Sequence, residues 1–396
     1  FDGVKRKYTE SWKDADKKLK AEDIGKQSGK ESNFRKLIPE NIRAMSNDLG
    51  RAKAIYSYLQ ERMVWNEKYH IFRDVDVKRA FEERTGSAAE LNLVLLNMLK
   101  AAGFKAYFML VSTRDNGVAT RLFPVISEFN YLVVKLDLGE KTYLLDITDK
   151  TLPFGMLPFK ALNSYGRVMD FDEGSYWYDI TAGKLSLNTN YVEYRVDAEG
   201  NISANMIDTN SDYLAALKRS ELSELSQEAY LNAIEDDLGK ASDAEITKYE
   251  IAKKDDLDDP VRETFSFNLG KNATGDLIYI YPFIYNKHKE NPFKLNIRSY
   301  PVDFGYPFGY NHKIIIKADP AYEIMEIPKP RRYTMGEDRA SLVMESYSSN
   351  NEISVDLTFI IRKSFFTPNE YRELKDLFGE LVNIQNNLPI VLKKKE

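Results

Sequence analysis

The chain has no cysteine among its 396 residues. That excludes disulfides, thiolate metal sites and thiol catalysis together. Histidine is nearly as scarce, at three residues, His70, His288 and His312. None pairs at the i, i+4 spacing of a helical metal site, so each is read as a surface or turn residue. No run approaches the roughly 18 consecutive apolar residues of a transmembrane helix, and no signal peptide is visible. A long basic stretch is missing too, which leaves nucleic-acid binding without an electrostatic footprint. Lys393-Lys394-Lys395 reads as a solvated tail. The acidic run Asp255-Asp256-Leu257-Asp258-Asp259 lacks the glycine and distal glutamate of a calcium loop, and reads as a solvated loop before Pro260. No cofactor or metal is expected. The chain opens on Phe1-Asp2-Gly3 without an initiator Met. It is expected to be a mature form or a fragment, and the absent signal then says little about compartment.

Apolar residues make up 43% and charged residues 30%, the composition of a globular protein, and the net charge of −5 is modest. The length implies two or more domains. Residues 1–46 are polar, with apolar marks at Trp12, Leu19, Phe34, Leu37 and Ile38 that suggest helical pieces in an arm. From Asp48, the residues Leu49, Ala52, Ile55, Tyr56, Leu59 and Met63 recur at three- and four-residue steps and make one helical face. Strand-like runs cover 104–111, 129–136 and 141–147. From about residue 186 strands dominate, expected near 191–196, 202–206, 246–251, 277–283, 313–316, 341–345 and 353–361. Helical patterns interrupt them near 213–238 and 368–381.

Residues 84–104 carry the strongest local signal. Leu91, Val94, Leu95, Met98, Leu99 and Ala102 form an apolar stripe, and Gly103 supplies a left-handed stop. Ser87-Ala88-Ala89-Glu90 has the form of a capping box, with Ser87 at the N-cap. Downstream lie Phe129-Asn130-Tyr131-Leu132-Val133-Val134 and Tyr143-Leu144-Leu145-Asp146-Ile147-Thr148.

This order of landmarks resembles the transglutaminase-like family of papain-like thiol enzymes. In that family a Gly-x-Cys turn opens the apolar helix, a His lies on the next strand, and an Asp lies on the strand after it. The family Cys falls on Ala88, the His on Tyr131 and the Asp on Asp146. Val64-Trp65-Asn66, Ser112-Thr113-Arg114-Asp115-Asn116-Gly117 and Leu152-Pro153-Phe154-Gly155-Met156-Leu157-Pro158 extend the likeness. It resembles a Bacteroidetes type of envelope protein in which a transglutaminase-like core lies between two β-rich domains. The resemblance covers roughly residues 48–165.

The fold class the resemblance implies is α+β, a papain-like core followed by a β-sandwich-like domain. Residues 1–46 would be a helical connecting arm, 47–185 the transglutaminase-like domain, and 186–396 the β-sandwich-like domain with added helices. A further N-terminal β-rich domain is expected in the full-length protein, together with an exported, periplasmic or outer-surface location. Ala88 offers no nucleophile, and a phenol titrating near pH 10 is a poor base at neutral pH. A pseudoenzyme is therefore expected. It would act as a binding or scaffolding module, its vestigial cleft lined by Trp65, Ser87 and Asn130 and taking a peptide, a protein segment or a glycan. Two alternatives stand beside it. One is non-thiol chemistry with Ser87, Tyr131 and Asp146. The other is a purely architectural module whose cleft is closed by its own side chains.

Overall fold

The computed structural model describes residues 11–69, 71–239 and 244–396, so His70 lies outside the described residues. The chain divides into two compact units between Ala182 and Gly183.

The first unit is built around the helix Ala88–Ala101. Every residue from Ala88 to Leu99 is buried, which marks a helix packed on all sides rather than one amphipathic face. It ends where expected, at Gly103 with φ +88°. A five-stranded antiparallel sheet packs on it, in the order Lys141–Leu145, Tyr131–Leu138, Lys105–Val111, Tyr165–Val168 and Tyr176–Asp179. The helices Asp48–Arg62, Val77–Glu83 and Glu31–Phe34 cover its remaining sides.

The polar stretch before Asp48 is packed as well as helical. Leu19, Ile24, Phe34, Ile38 and Ile42 belong to the same core as the central helix. Asn97 accepts the N–H of Lys30 at 2.7 Å and donates to the carbonyl of Gln27 at 2.8 Å. Arg167 holds Asp16 through a two-pronged ion pair, with Nη2 at 3.0 and 2.8 Å from the two carboxylate oxygens. Its guanidinium also lies 4.7 Å from the Trp12 ring.

The second unit is β-rich. Its main sheet has eight strands, in the order Glu245–Ala252, Val261–Asn268, Ile202–Asn210, Ser186–Val196, Phe308–Ala318, Glu352–Ile361, Ala340–Ser349 and Arg331–Met335. All pairs are antiparallel except Ser186–Val196 with Phe308–Ala318. A four-stranded sheet and the helix Tyr371–Asn387 contribute to the same core, through Ile278, Ile390, Tyr322, Leu377 and Phe378.

Several local expectations change. The helical pattern near 213–238 is two helices, Asp212–Glu224 and Gln227–Gly239, because Leu225 is extended and the Ser226 hydroxyl accepts the Ala229 N–H. The terminal lysines are not a free tail. Ile390–Lys394 is a strand paired on both sides, with Leu277–Ile280 and Tyr322–Glu326. His312 is not a turn residue but lies buried in the strand Phe308–Ala318, since the strand's inward alternation passes through it to Ile314 and Ile316. In the acidic loop, the carbonyls of Lys254, Asp256 and Asp259 accept hydrogen bonds from the Arg219 guanidinium.

The Arg167–Asp16 pair sets a stability prediction. Asp16→Ala leaves a guanidinium buried without its carboxylate and is expected to lower the unfolding free energy by about 3 kcal/mol. Adding Arg167→Met should recover part of that loss. Denaturant titration of the single and double variants checks both, and equal losses in the two would contradict the role given to this pair.

Candidate functional site

The site is assembled by the start of the central helix and the two strands beside it. Ser87 caps the helix as expected. Its hydroxyl accepts the Glu90 N–H at 3.3 Å, and Glu90 Oε2 accepts the Ser87 N–H at 2.8 Å. Glu90 also accepts from the Asp76 N–H and from Arg79 through its other oxygen. This carboxylate therefore sits at the positive end of the helix and ties in the neighbouring helix start. Gly86 is closely packed, since a Cβ there would stand 3.0 Å from Ala80 Cβ and Glu90 Cβ and would press on both.

Asn92 lies one turn beyond Ala88 and is completely buried. Its amide donates to the Leu132 carbonyl at 2.8 Å and accepts the Ile147 N–H at 3.0 Å. One side chain thus clamps the helix to the residues that follow Tyr131 and Asp146. Sequence reading missed it. The available signal was a polar amide inside an otherwise apolar helical stripe, four residues after Ala88. Tyr56 and Gln60 hold the next loop, with the Tyr56 hydroxyl on the Asp146 carbonyl and Gln60 Nε2 on the carbonyls of Asp149 and Leu152.

Ala88, Tyr131 and Asp146 are each 0% exposed. The Ala88 N–H is donated to the Lys68 carbonyl at 2.9 Å, and the same carbonyl accepts the Trp65 indole N–H at 3.0 Å. The segment from Trp65 to Tyr69 thereby docks on the helix start. The Tyr131 hydroxyl shares a 2.8 Å hydrogen bond with the Thr148 hydroxyl. Burial, then the negative charge of Asp146, pushes this phenol well above its usual range, so it stays protonated at neutral pH. Burial likewise raises the Asp146 carboxyl, against opposition led by the Thr148 N–H. Asp146 Oδ1 accepts that N–H at 2.7 Å, while Oδ2 is buried with no hydrogen-bond partner among the described residues.

Lys160 is the unexpected member. It follows the Leu-Pro-Phe-Gly-Met-Leu-Pro stretch, in the short helical turn Phe159–Ala161. Its ammonium lies 3.6 Å from the centre of the Trp65 ring, 5.7 Å from Tyr69 and 5.0 Å from Tyr131. Tyr69 itself meets Trp65 and Tyr131 edge to face, at 5.7 Å in each case. Burial lowers the Lys160 pKa, and the attraction of Asp146 opposes that shift. Aromatic faces are a fitting surround for a partly desolvated ammonium.

Of the residues expected to line the cleft, Trp65 does meet this cluster. Ser87 is turned to its capping role. Asn130 is occupied elsewhere, since its amide accepts the Thr113 N–H and donates to the Thr113 hydroxyl, each at 2.8 Å. The 112–117 stretch is itself pinned, with Asn163 donating to the Ser112 and Gly117 carbonyls and Arg114 to the Leu162 carbonyl. These bonds fix the residues that follow the turn carrying Lys160.

A pH prediction follows from Asp146. Its folded pKa is raised, so the folded state holds the proton more tightly than the unfolded chain. Its contribution is therefore lost as pH rises from the usual carboxylate range through the raised value, and ionisation above that window is a cost. Asp146→Asn should raise the melting temperature at pH 7, and the gain should vanish below about pH 4, where an unfolded-chain aspartate is protonated too. A thermal-melt series from pH 3 to 8 reads this out. A lower melting temperature for the variant at pH 7 would refute the buried-charge account.

Residues 35–135 match the transglutaminase-like superfamily. Residues 276–392 match a domain of unknown function with solved structure (DUF3858). No curated protein matches the chain. Among solved structures, the chain is similar to that of a "putative protease" from Parabacteroides distasonis, with a TM-score of 0.52 and 12% identity. The match covers 96% of this chain and 57% of that one, so the likeness is one of fold and the chain spans little more than half of the longer protein. The chain thus has a transglutaminase-like core, with the helix start at Ser87 and Ala88 at its centre, followed by a β-rich region that carries the DUF3858 match.

Proposed function

We propose that the transglutaminase-like core is a non-catalytic, architectural module whose ancestral cleft is sealed by its own side chains. The observation that carries this reading is the complete burial of Ala88, Tyr131 and Asp146, with the Lys160 ammonium resting against the rings of Trp65, Tyr69 and Tyr131. Acyl transfer needs a nucleophile, a base near neutral pH and N–H donors aimed at the developing oxyanion. Ala88 has no reactive atom. Tyr131 keeps its proton at neutral pH because burial disfavours the phenolate. The backbone N–H of Ala88, placed where a thiol enzyme would stabilise charge, is already used by the Lys68 carbonyl. Ser87 supports its helix instead of facing a base.

Two readings compete with it. A peptide or glycan reaching Ala88 or Tyr131 would have to displace side chains that leave both fully buried. A hydrolase, as the name of the Parabacteroides protein suggests for that protein, requires a nucleophile outside the three family positions. We place the module in the bacterial envelope, on the family resemblance alone.

The absence of cysteine makes a direct test available. In Ala88→Cys the new thiol is the chain's only one. It is expected to react with a small disulfide reagent at least about a hundredfold more slowly than a cysteine at an exposed site such as Leu122, as burial raises a thiol's pKa and denies access. Labelling as fast as the exposed control would sink the sealed-cleft reading and favour a binding groove. Separately, release of ammonia from glutamine peptides, or peptide cleavage, by the unaltered protein would end the non-catalytic reading.

A further inference from the structure

The eight-stranded sheet of the β-rich unit ends on the strand Arg331–Met335. One side of this strand pairs with residues 340–344 across the hairpin at 336–339. No strand pairs with its other side among the described residues. In an antiparallel ladder, alternate residues turn their N–H and C=O away from the partner. The outer side therefore offers open backbone groups to a further strand. Arg332, Tyr333 and Thr334 are exposed along it. At the opposite edge of the sheet, by contrast, Glu235 of the helix Gln227–Gly239 takes the Ile246 N–H at 2.7 Å.

A groove of about 520 Å³ lies beside this edge, between Tyr333, Thr334 and Met335 and the helix Tyr371–Asn387. Two ion pairs fix how helix and strand lie together. Arg331 meets Glu380 at 2.6 Å, and Arg339, just past the strand, meets Glu370, just before the helix, at 2.9 Å. The helix thus runs back along the strand. Glu373, Asp376, Leu377 and Glu380, at three- and four-residue steps, turn one face to the groove. Its charged lining is these three carboxylates and Lys375. Arg331 satisfies Glu380, and the Lys375 ammonium is spent on the carbonyls of Lys294 and Leu295 at 3.2 and 2.8 Å. Even with both cations counted, three carboxylates leave one negative charge in excess. Glu373 and Asp376 are exposed and have no ion pair among the described residues. Arg332 is on the other face of the strand from Tyr333, with Glu345 at 3.9 Å.

Gly379 lines the same wall from the interior of the helix. Glycine weakens a helix interior relative to alanine. Packing does not require it here, because a Cβ would meet only the Asn291 amide, at 3.4 Å. Its effect is to leave the helix backbone bare on the groove side, which lets another backbone approach.

We propose that the edge strand Arg331–Met335 and its groove bind an extended peptide segment by strand addition, with a lysine or arginine of that segment turned toward Glu373 and Asp376. The main chain of the segment bonds the open edge, and its alternate side chains enter the groove. The edge offers five residues, so the added strand is short. Tyr333, 42% exposed, supplies an aromatic surface in the middle of it. An acidic segment would meet two unpaired carboxylates, and a helical one would leave the open backbone groups unused.

The test is titration of the whole chain with short fluorescent peptides, read by anisotropy at low ionic strength. One peptide alternates threonine and lysine, and a second alternates threonine and glutamate. A third is the lysine peptide with its backbone nitrogens methylated. The lysine peptide is expected to bind and to be released as salt is raised, and the other two are expected not to bind. Glu373→Gln together with Asp376→Asn should weaken binding about five- to tenfold, the loss of two exposed charge contacts. Gly379→Leu fills the groove while improving the helix, and should abolish binding. Failure of the lysine peptide to bind, equal binding of the glutamate peptide, indifference to backbone methylation, or binding untouched by Gly379→Leu would each overturn the proposal. So would a dimer, seen by sedimentation, whose formation excludes the peptide, since the edge would then belong to a second copy of the chain.

Discussion

The first unit depends on one amide. Asn92 sits in a helix whose neighbours from Leu91 to Leu96 are otherwise apolar and buried. In that setting an amide without partners would cost on the order of 1–3 kcal/mol. It finds a carbonyl at Leu132 and an N–H at Ile147, one residue beyond Tyr131 and one beyond Asp146. Helix start and both strands are therefore held in one register. The relative placement of Ala88, Tyr131 and Asp146 follows from these two bonds, whatever side chains occupy those positions.

What those side chains do is a separate matter. Beside Tyr131, the carboxyl of Asp146 keeps one buried oxygen with no hydrogen-bond partner among the described residues. Charge in such a place calls for compensation. Lys160 supplies some of it at a distance, and the rings of Trp65, Tyr69 and Tyr131 let the ammonium rest out of water. The outcome is a cation held on aromatic faces beside a buried carboxyl.

Much of this was legible in the residues. The capping box at Ser87 and Glu90, the stop at Gly103 and the apolar stripe between them are local, and the helix forms as they indicate. The three strands after it follow from runs of branched and aromatic residues. Expectations failed where a segment takes its structure from a distant partner. Ile390–Lys394 is short and lysine-rich, yet it becomes a paired strand because two other strands offer it their edges. The strands at 261–268 and 331–335 were missed for a similar reason, since charged and hydroxyl residues there break the apolar alternation. His312 looked like a turn residue among polar neighbours, but its strand carries it inward, where burial lowers its pKa to about 4.

The sequence by itself determined the helix that centres the first unit, the family landmarks in order, and the absence of a thiol anywhere in the chain. Those are properties of composition and near-neighbour spacing, which the backbone reads without help from afar. Only the tertiary structure decided that Lys160 rests against Trp65 and Tyr131 and that Asn130 turns to Thr113. Each of these depends on residues brought together from separate segments. Hydrogen bonds and desolvation act over a few ångströms of space, with no regard for how far apart the partners lie along the chain.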